Sequence, residues 1–96
     1  MTFYNMKEFG SVLTGREYGK TVYQNLENRL ALPAALDFDG VESMGSSFGD
    51  EIVVPIARKQ KDQLVVRNAN SVVTACLIDI AEENNLKVEY QKRSSP

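Results

Sequence analysis

The chain has 96 residues, which is enough for one small domain with a thin hydrophobic core. Hydrophobic residues make up 43% of it and charged residues 25%, a balance typical of globular proteins. The formal net charge of −2 argues against nucleic-acid binding, because such binders need a basic face. The chain contains no histidine, so we exclude a zinc site and any histidine-dependent catalytic triad.

Targeting signals and reactive groups are also sparse. No apolar run approaches the length of a membrane span, and the first residues lack the basic and apolar regions of a secretory signal. We therefore expect a cytoplasmic protein. Cys76 is the only cysteine and falls in an apolar pattern, which indicates a buried small hydrophobe. We expect no catalytic residue, no bound metal and no cofactor.

The first third of the chain predicts a strand and a helix. Residues 2–9 are typical of an edge strand or a short hairpin. Thr14 and Glu17 have the spacing of a capping box, and a helix is predicted over about residues 15–29. Its apolar face consists of Tyr18, Val22, Leu26 and Leu30. Gly15 and Gly19 weaken this helix, and close approach to another element would explain them.

The middle of the chain predicts a buried strand, a loop and a second helix. Residues 34–38 are mostly apolar and favour a strand buried on both faces. The loop ends at Ser46 and Ser47, one of which is predicted to cap the helix, with Asp50 and Glu51 in its first turn. The apolar stripe is Phe48, Ile52 and Ile56. Pro55 lies inside this helix, which is predicted to reach about Lys59, and should kink it or stop it early.

The last third predicts a strand, a helix and a final strand. Residues 64–66 form the strand, and Asn68 and Asn70 are predicted to end it and to cap the helix. The helix has its apolar residues at Val73, Cys76, Leu77, Ile80 and Ala81. Residues 86–90 alternate in polarity and predict a strand with one solvent-exposed face. The domain is predicted to span residues 1–90, with a disordered tail at 91–96.

Strands and helices therefore alternate along the chain. This order predicts an α/β domain with a mostly parallel or mixed sheet and right-handed crossovers. In such sheets the functional crevice lies beyond the carboxyl ends of the strands. The loops at residues 39–47 and 68–71 both leave predicted carboxyl ends, so we expect the functional site there.

Short motifs spread along nearly the whole chain then suggest a family. They are Phe9-Gly10 with Leu13, Arg16-Glu17 with Gly19, Leu36-Asp37-Phe38 with Gly40-Val41, Ser47-Phe48 with Asp50-Glu51, and Asn68 with Asn70 and Val73. In this order and spacing the chain resembles the STAS-like domains of unknown function, distant relatives of the anti-sigma-factor antagonists. The resemblance implies a single α/β domain with a four- to five-stranded mixed sheet flanked by about three helices.

The resemblance also implies a kind of partner. Family members often occur beside, or fused to, ATPase domains of the histidine-kinase type. In the antagonists such a partner phosphorylates a serine at the start of the second helix, which dissociates the complex. Here that position falls on Ser47, with Ser46 one residue earlier. The antagonists usually carry an aspartate where this chain has Gly45.

The predicted partner-binding surface joins residues from both loops and both neighbouring helices. Its members are Arg16, Asp39, Gly45, Ser46, Ser47, Phe48, Asp50, Glu51, Asn68 and Asn70. Helix capping is the simpler role for the two serines. Arg16 opposes the helix dipole, so it should either pair with Asp37, Asp39 or Asp50 or contact a phosphate or an acidic partner. Asp37 and Asp39 could bind a cation together, but a turn-forming role for Asp39 before Gly40 is favoured.

Two functions fit these observations. The first is a small non-enzymatic regulatory module of bacterial or phage origin that docks on a histidine-kinase-type ATPase or serine kinase, switched by phosphorylation of Ser47. The alternative is a phage- or mobile-element-encoded inhibitor that binds the surface of a host defence complex. An edge strand near Phe3 and Tyr4 could also pair with itself in a homodimer.

Overall fold

The computed structural model describes residues 1–92 as one α/β domain. The strands are β1 (Thr2–Asn5), β2 (Val12–Leu13), β3 (Ala34–Asp37), β4 (Ser43–Met44), β5 (Gln63–Arg67) and β6 (Lys87–Gln91). The helices are α1 (Arg16–Glu27), α2 (Ser46–Arg58) and α3 (Ser71–Asn84), with a short 3₁₀ helix at Met6–Phe9. The predicted α/β class and the three helices are confirmed.

The main sheet has four strands in the order β1-β3-β5-β6, and all of its pairs are parallel. Each crossover moves to the neighbouring strand in the same direction. Because such crossovers are right-handed, they place the three helices on one face of the sheet. The strands β2 and β4 form a separate parallel pair. All four carboxyl ends of the main strands consequently lie at one edge.

The hydrophobic core lies between the sheet and the helix layer. From the sheet it contains Tyr4, Leu36, Leu64 and Val66, and from the helices Val22, Leu26, Phe48, Ile52, Ile56, Val73, Leu77 and Ile80. These include the whole stripe predicted for α2 and, from that of α3, Val73, Leu77 and Ile80. The other two predicted α3 residues, Cys76 and Ala81, are partly buried against the core. Every residue of β3 is buried, so the predicted burial of side chains on both faces of this strand is confirmed.

The helices α1 and α2 pack closely at Gly19. A Cβ atom at this position would lie 3.0 Å from the carbonyl oxygen of Phe48, so only glycine allows this contact. At the other end of the pair, Lys59 Nζ lies 3.8 Å from Glu27 Oε2. The two helices therefore run parallel. The predicted close approach is confirmed at Gly19 but is wrong for Gly15, where a Cβ atom would have no non-adjacent neighbour within 4 Å among the described residues.

Several predicted boundaries change. The first strand ends at Asn5 and is followed by the 3₁₀ helix, so no hairpin forms there. Pro55 does not stop α2, which continues to Arg58. Asn85 ends α3 in a left-handed conformation, which asparagine adopts more readily than most residues. The strand β6 includes Gln91, the first residue of the predicted tail, and residues 93–96 of that tail lie outside the described residues.

Among the described residues, none of the helices is both long enough and apolar enough to cross a membrane.

Candidate functional site

The starts of α1 and α2 lie next to each other. The short strands β2 and β4 pair in parallel, and each leads directly into a helix. The N–H group of Gly45 donates to the Leu13 carbonyl oxygen at 2.8 Å, and Gly45 also lies against Thr14. Because the helices are parallel neighbours, the positive ends of their dipoles point toward the same region of solvent.

The two serines occupy the first and second positions of α2. The N-cap residue is Gly45, and across residues 1–92 no side chain accepts a hydrogen bond from the start of this helix. The prediction that Ser46 or Ser47 caps α2 is therefore wrong, because the helix begins one residue earlier than a serine cap requires. Ser46 is exposed and Ser47 half-buried, so both remain accessible at the rim.

The predicted capping box at the start of α1 is also absent. The N-cap is Gly15, whose φ of 94° favours glycine, and no side chain within the described range caps it. Thr14 lies one residue too early to act as the cap. Both helices therefore begin at a glycine, which leaves their first N–H groups without a side-chain acceptor in the described structure.

Arg16 joins the two helices. Its Nη1 lies 3.1 Å from Glu51 Oε2, and its Nη2 lies 4.0 Å from Asp50 Oδ2. Of the predicted carboxylate partners, Asp50 is therefore correct, while Glu51 makes the shorter contact. Asp50 and Glu51 lie in the second turn of α2, so the prediction that they complement the first-turn dipole is wrong.

Three of the four acidic and hydroxyl side chains on α2 share one side of the helix. Ser47, Asp50 and Glu51 are spaced i, i+3 and i+4, which makes them neighbours on the helix surface. Asp50 Oδ1 is buried and has no hydrogen-bond partner among the described residues. We call Arg16, Gly45, Ser46, Ser47, Asp50 and Glu51 the serine surface.

Phe48 does not belong to this surface. Its side chain is fully buried in the core, with its ring centroid 5.6 Å from that of Tyr18. Phe48 was predicted to bind a partner, and this is wrong because its buried side chain is not accessible to one. The helix period explains the burial, because Phe48 heads the same apolar stripe as Ile52 and Ile56.

A second polar cluster surrounds Asp37 at the carboxyl end of β3. Arg67 Nε lies 2.8 Å from Asp37 Oδ2, while Asn68 Nδ2 (3.1 Å) and the Asp39 N–H (2.9 Å) donate to Oδ1. Burial alone would raise the pKa of Asp37, but these hydrogen bonds and the Arg67 charge outweigh it and lower the pKa below its usual value. A shared cation site at Asp37 and Asp39 is therefore not supported, because Asp37 already has three donors.

Asn70 completes this cluster at the start of α3. Its side-chain oxygen accepts from the Val73 N–H at 2.8 Å, which confirms the predicted cap. Its amide nitrogen donates to the carbonyl oxygens of Val41 and Glu42, so the same side chain also holds the loop before β4. We call Asp37, Asp39, Arg67, Asn68 and Asn70 the asparagine corner.

The sequence reasoning missed Arg67. It lies in register with Asp37 on the neighbouring strand, and its guanidinium stacks 3.6 Å from the centre of the Phe3 ring. The sequence did offer one signal. Arg67 directly follows the predicted strand at residues 64–66, and the preceding predicted strand has the acidic Asp37 near its end. Because Asp37 is paired with Arg67, it is not a partner of Arg16, which pairs with Glu51 and Asp50 instead.

The remaining chemical groups support no further site. Within residues 1–92, no cluster of three or more acidic, cysteine or histidine side chains could hold a metal ion. Cys76 is half-buried, and burial, together with the nearby Asp50 and Asp79 carboxylates, raises the pKa of its thiol. The thiol is thus kept in its less reactive protonated form.

The fold and the two polar clusters define a small α/β domain with a polar rim at the carboxyl edge of its sheet. The chain belongs to the family described as the STAS-like domain of unknown function (DUF4325), whose model matches residues 18–74, more than half of the chain. The matched region runs from α1 to α3 and includes most of both polar clusters. The chain matches no curated protein and no solved structure.

Proposed function

We propose that this protein is a non-enzymatic regulatory module that docks through the serine surface on a histidine-kinase-type ATPase or serine kinase. The observation that carries the proposal is the adjacency of two uncapped helix starts, with Ser46 exposed and Ser47 half-buried between them and solvent. Backbone N–H groups that lack an internal acceptor can donate to acidic or phosphorylated groups of a partner.

Phosphorylation of Ser47 is the proposed switch. A phosphate adds a charge of about −1.5 to −2 at pH 7 and several strong acceptor oxygens. At the second position of α2 it would face the free N–H groups of the helix start, which favours the negative charge. The same phosphate would lie one turn from Asp50 and Glu51, which repel it.

Arg16 supplies the cation that this rearrangement requires. Its guanidinium is about half exposed and contacts Glu51 and Asp50, on the side of α2 that carries Ser47. Exposed ion pairs of this kind contribute little stability, so Arg16 can change partner at small cost. We propose that Arg16 turns from the two carboxylates to the phosphate, which alters both charge and shape of the docking surface.

The test is to incubate the full chain with ATP and a candidate ATPase or kinase from its own genome. Intact-mass spectrometry should show addition of one phosphate, and fragment spectra should place it on Ser47. The Ser47→Ala variant should bind the partner but remain unmodified. The matched control is Ser71→Ala, because Ser71 is also a serine in the first turn of a helix and is exposed, so that it is accessible to a kinase.

Two outcomes would count against the proposal. If no phosphate is found while wild type and Ser47→Ala bind equally, the switch is wrong although docking survives. If Arg16→Ala, Ser46→Ala and Ser47→Ala all bind like wild type, the serine surface is not the docking site. Arg58→Ala is the control for Arg16, because Arg58 is a similarly exposed arginine paired with a carboxylate.

A further inference from the structure

The outer side of β6 offers unpaired backbone groups. The Lys87 N–H donates to the Asp62 carbonyl, and the Gln91 carbonyl accepts from Asn68 N–H. In a parallel ladder this pattern directs the backbone groups of residues 87, 89 and 91 toward β5. The N–H and C=O groups of Val88 and Tyr90 therefore point away from the sheet, where the described part of the chain provides no further strand.

A largely open groove of mixed polarity lies beside this edge. It has a volume of about 440 Å³ and separates α3 from β6; its apolar lining is Ile78, Ala81, Leu86, Val88 and Tyr90, and its polar lining is Glu82 and Asn85. Ile78 is 42% exposed and Tyr90 41%, although both are large hydrophobic residues. A strand added to β6 would cover this groove and satisfy the outward backbone groups at the same time.

The opposite edge of the sheet is less suitable. The side chain of Tyr4 on β1 is buried, and its hydroxyl donates to the Arg29 carbonyl and accepts from the Ala31 N–H. The groove between the end of β1 and the 3₁₀ helix is polar, with a lining of Asn5, Lys7, Glu8, Asp37 and Asp39. β6 is therefore a better candidate for a homodimer edge than the strand near Phe3 and Tyr4.

The sequence of β6 is complementary to itself in one antiparallel register. With a two-fold axis through Val88, Val88 faces its own copy, and Lys87 of each chain faces Glu89 of the other. Cross-strand pairs of opposite charge stabilise a sheet, whereas an axis through Glu89 would place two carboxylates face to face. The outward backbone groups of Val88 suit it to the central hydrogen-bonded pair of the first register.

From these observations we infer that β6 is a self-association edge, and that its occupant is a second copy of this chain. The two β6 strands pair antiparallel about Val88, join the sheets into eight strands, and enclose Ile78 and Tyr90. Glu89 contacts Gln91 within one chain, but both side chains are exposed, so Glu89 can turn to the facing Lys87. The interface is isologous, as expected for a two-fold dimer, and it is separate from the serine surface.

Charge exchange tests both the dimer and its register. Sedimentation of the wild-type chain should show a concentration-dependent monomer–dimer equilibrium. Lys87→Glu alone, or Glu89→Lys alone, places like charges opposite each other twice and should weaken dimerisation about tenfold. The double variant Lys87→Glu/Glu89→Lys should restore it, and an equimolar mixture of the two single variants should form heterodimers.

Controls keep the result specific. Lys20→Glu makes the same charge change on α1, at an exposed position of the opposite end of the helix layer, and should leave the equilibrium unchanged. Amide exchange at Val88 and Tyr90 should slow with concentration, whereas exchange at Phe3 and Asn5 should not. Wild type that stays monomeric at every soluble concentration overturns the inference. A dimer insensitive to both single exchanges overturns it too.

Discussion

The serine surface and the asparagine corner both lie near the carboxyl edge of the sheet, yet their polar groups are satisfied differently. In the asparagine corner, Asp37 accepts from three donors, and Asn70 both caps α3 and holds the loop before β4. In the serine surface, Gly15 and Gly45 replace side-chain caps, and Arg16 makes only exposed ion pairs.

This contrast separates a structural cluster from the surface that we propose binds a partner. A polar group that is buried and fully hydrogen-bonded stabilises the fold but offers little to a partner. Donors at the rim that lack an internal acceptor contribute less to folding and remain available for binding. Each of the following substitutions tests this difference through the free energy of unfolding, measured by urea denaturation.

The largest loss is expected for Asp37→Ala. This change removes an acceptor of three hydrogen bonds and leaves Arg67 without its carboxylate, so stability should fall by about 3 kcal/mol. Asp79→Ala, an exposed aspartate on α3, should change stability by less than about 0.5 kcal/mol. Equal effects at the two positions would mean that the asparagine corner is not structural.

The pH dependence of the free energy of unfolding tests how much the charge of Asp37 contributes. Because the native pKa of Asp37 is lowered, its carboxylate contributes stability above the unfolded pKa of about 4, and this contribution is lost as pH falls through the native pKa. The stability difference between wild type and Asp37→Asn should therefore be greatest near pH 7 and shrink toward pH 3. A difference independent of pH would show that the charge of Asp37 contributes nothing.

Gly19→Ala tests whether the close contact between α1 and α2 is required, because these two helices carry the serine surface and have no side-chain caps in the described structure. The added methyl would lie 3.0 Å from the Phe48 carbonyl oxygen, so α1 and α2 must separate. We expect a net loss of about 1–2 kcal/mol, even though alanine favours a helix by about 1 kcal/mol over glycine. Lys20→Ala is the neighbouring control and should have little effect. Net stabilisation by Gly19→Ala would show that the close helix contact is not required.

Asn70→Ala should cost less than either of the preceding changes. It removes the cap of α3, an effect of about 1 kcal/mol, and two exposed or half-exposed hydrogen bonds to the loop before β4. Hydrogen exchange should also speed up at the Val73 amide. An unchanged Val73 amide would indicate that another group can cap α3.

The smallest effect is expected for Ser46→Ala and Ser47→Ala. Since neither side chain caps α2, we expect each change to alter stability by less than about 0.5 kcal/mol. The ratio of the Asn70 effect to the Ser47 effect is the direct measure of the contrast between the two clusters. A loss of 1 kcal/mol or more at Ser47 would show that it caps the helix after all.

Much of the fold was predictable because local patterns and burial agree. The apolar stripe of α2, most of that of α3 and the cap at Asn70 follow from periodicity and from residue chemistry, and the structure confirms them. The short strands β2 and β4 were not predicted, because two residues carry no periodic signal. The pair lies directly before α1 and α2, so it fixes where both helices begin. The N-cap positions therefore fall on glycines, and the predicted caps at Thr14 and at the serines do not form.

The sequence by itself determined the α/β class, the apolar face of α2, most of the apolar face of α3, and the location of the polar loops after β3 and β5, because these depend on spacing along one chain. The tertiary structure alone decided which charges meet. Arg16 reached Glu51, and Asp37 took Arg67, because parallel helices and strand register bring together residues that lie about thirty positions apart. Such pairings depend on three-dimensional packing, and no local pattern encodes them.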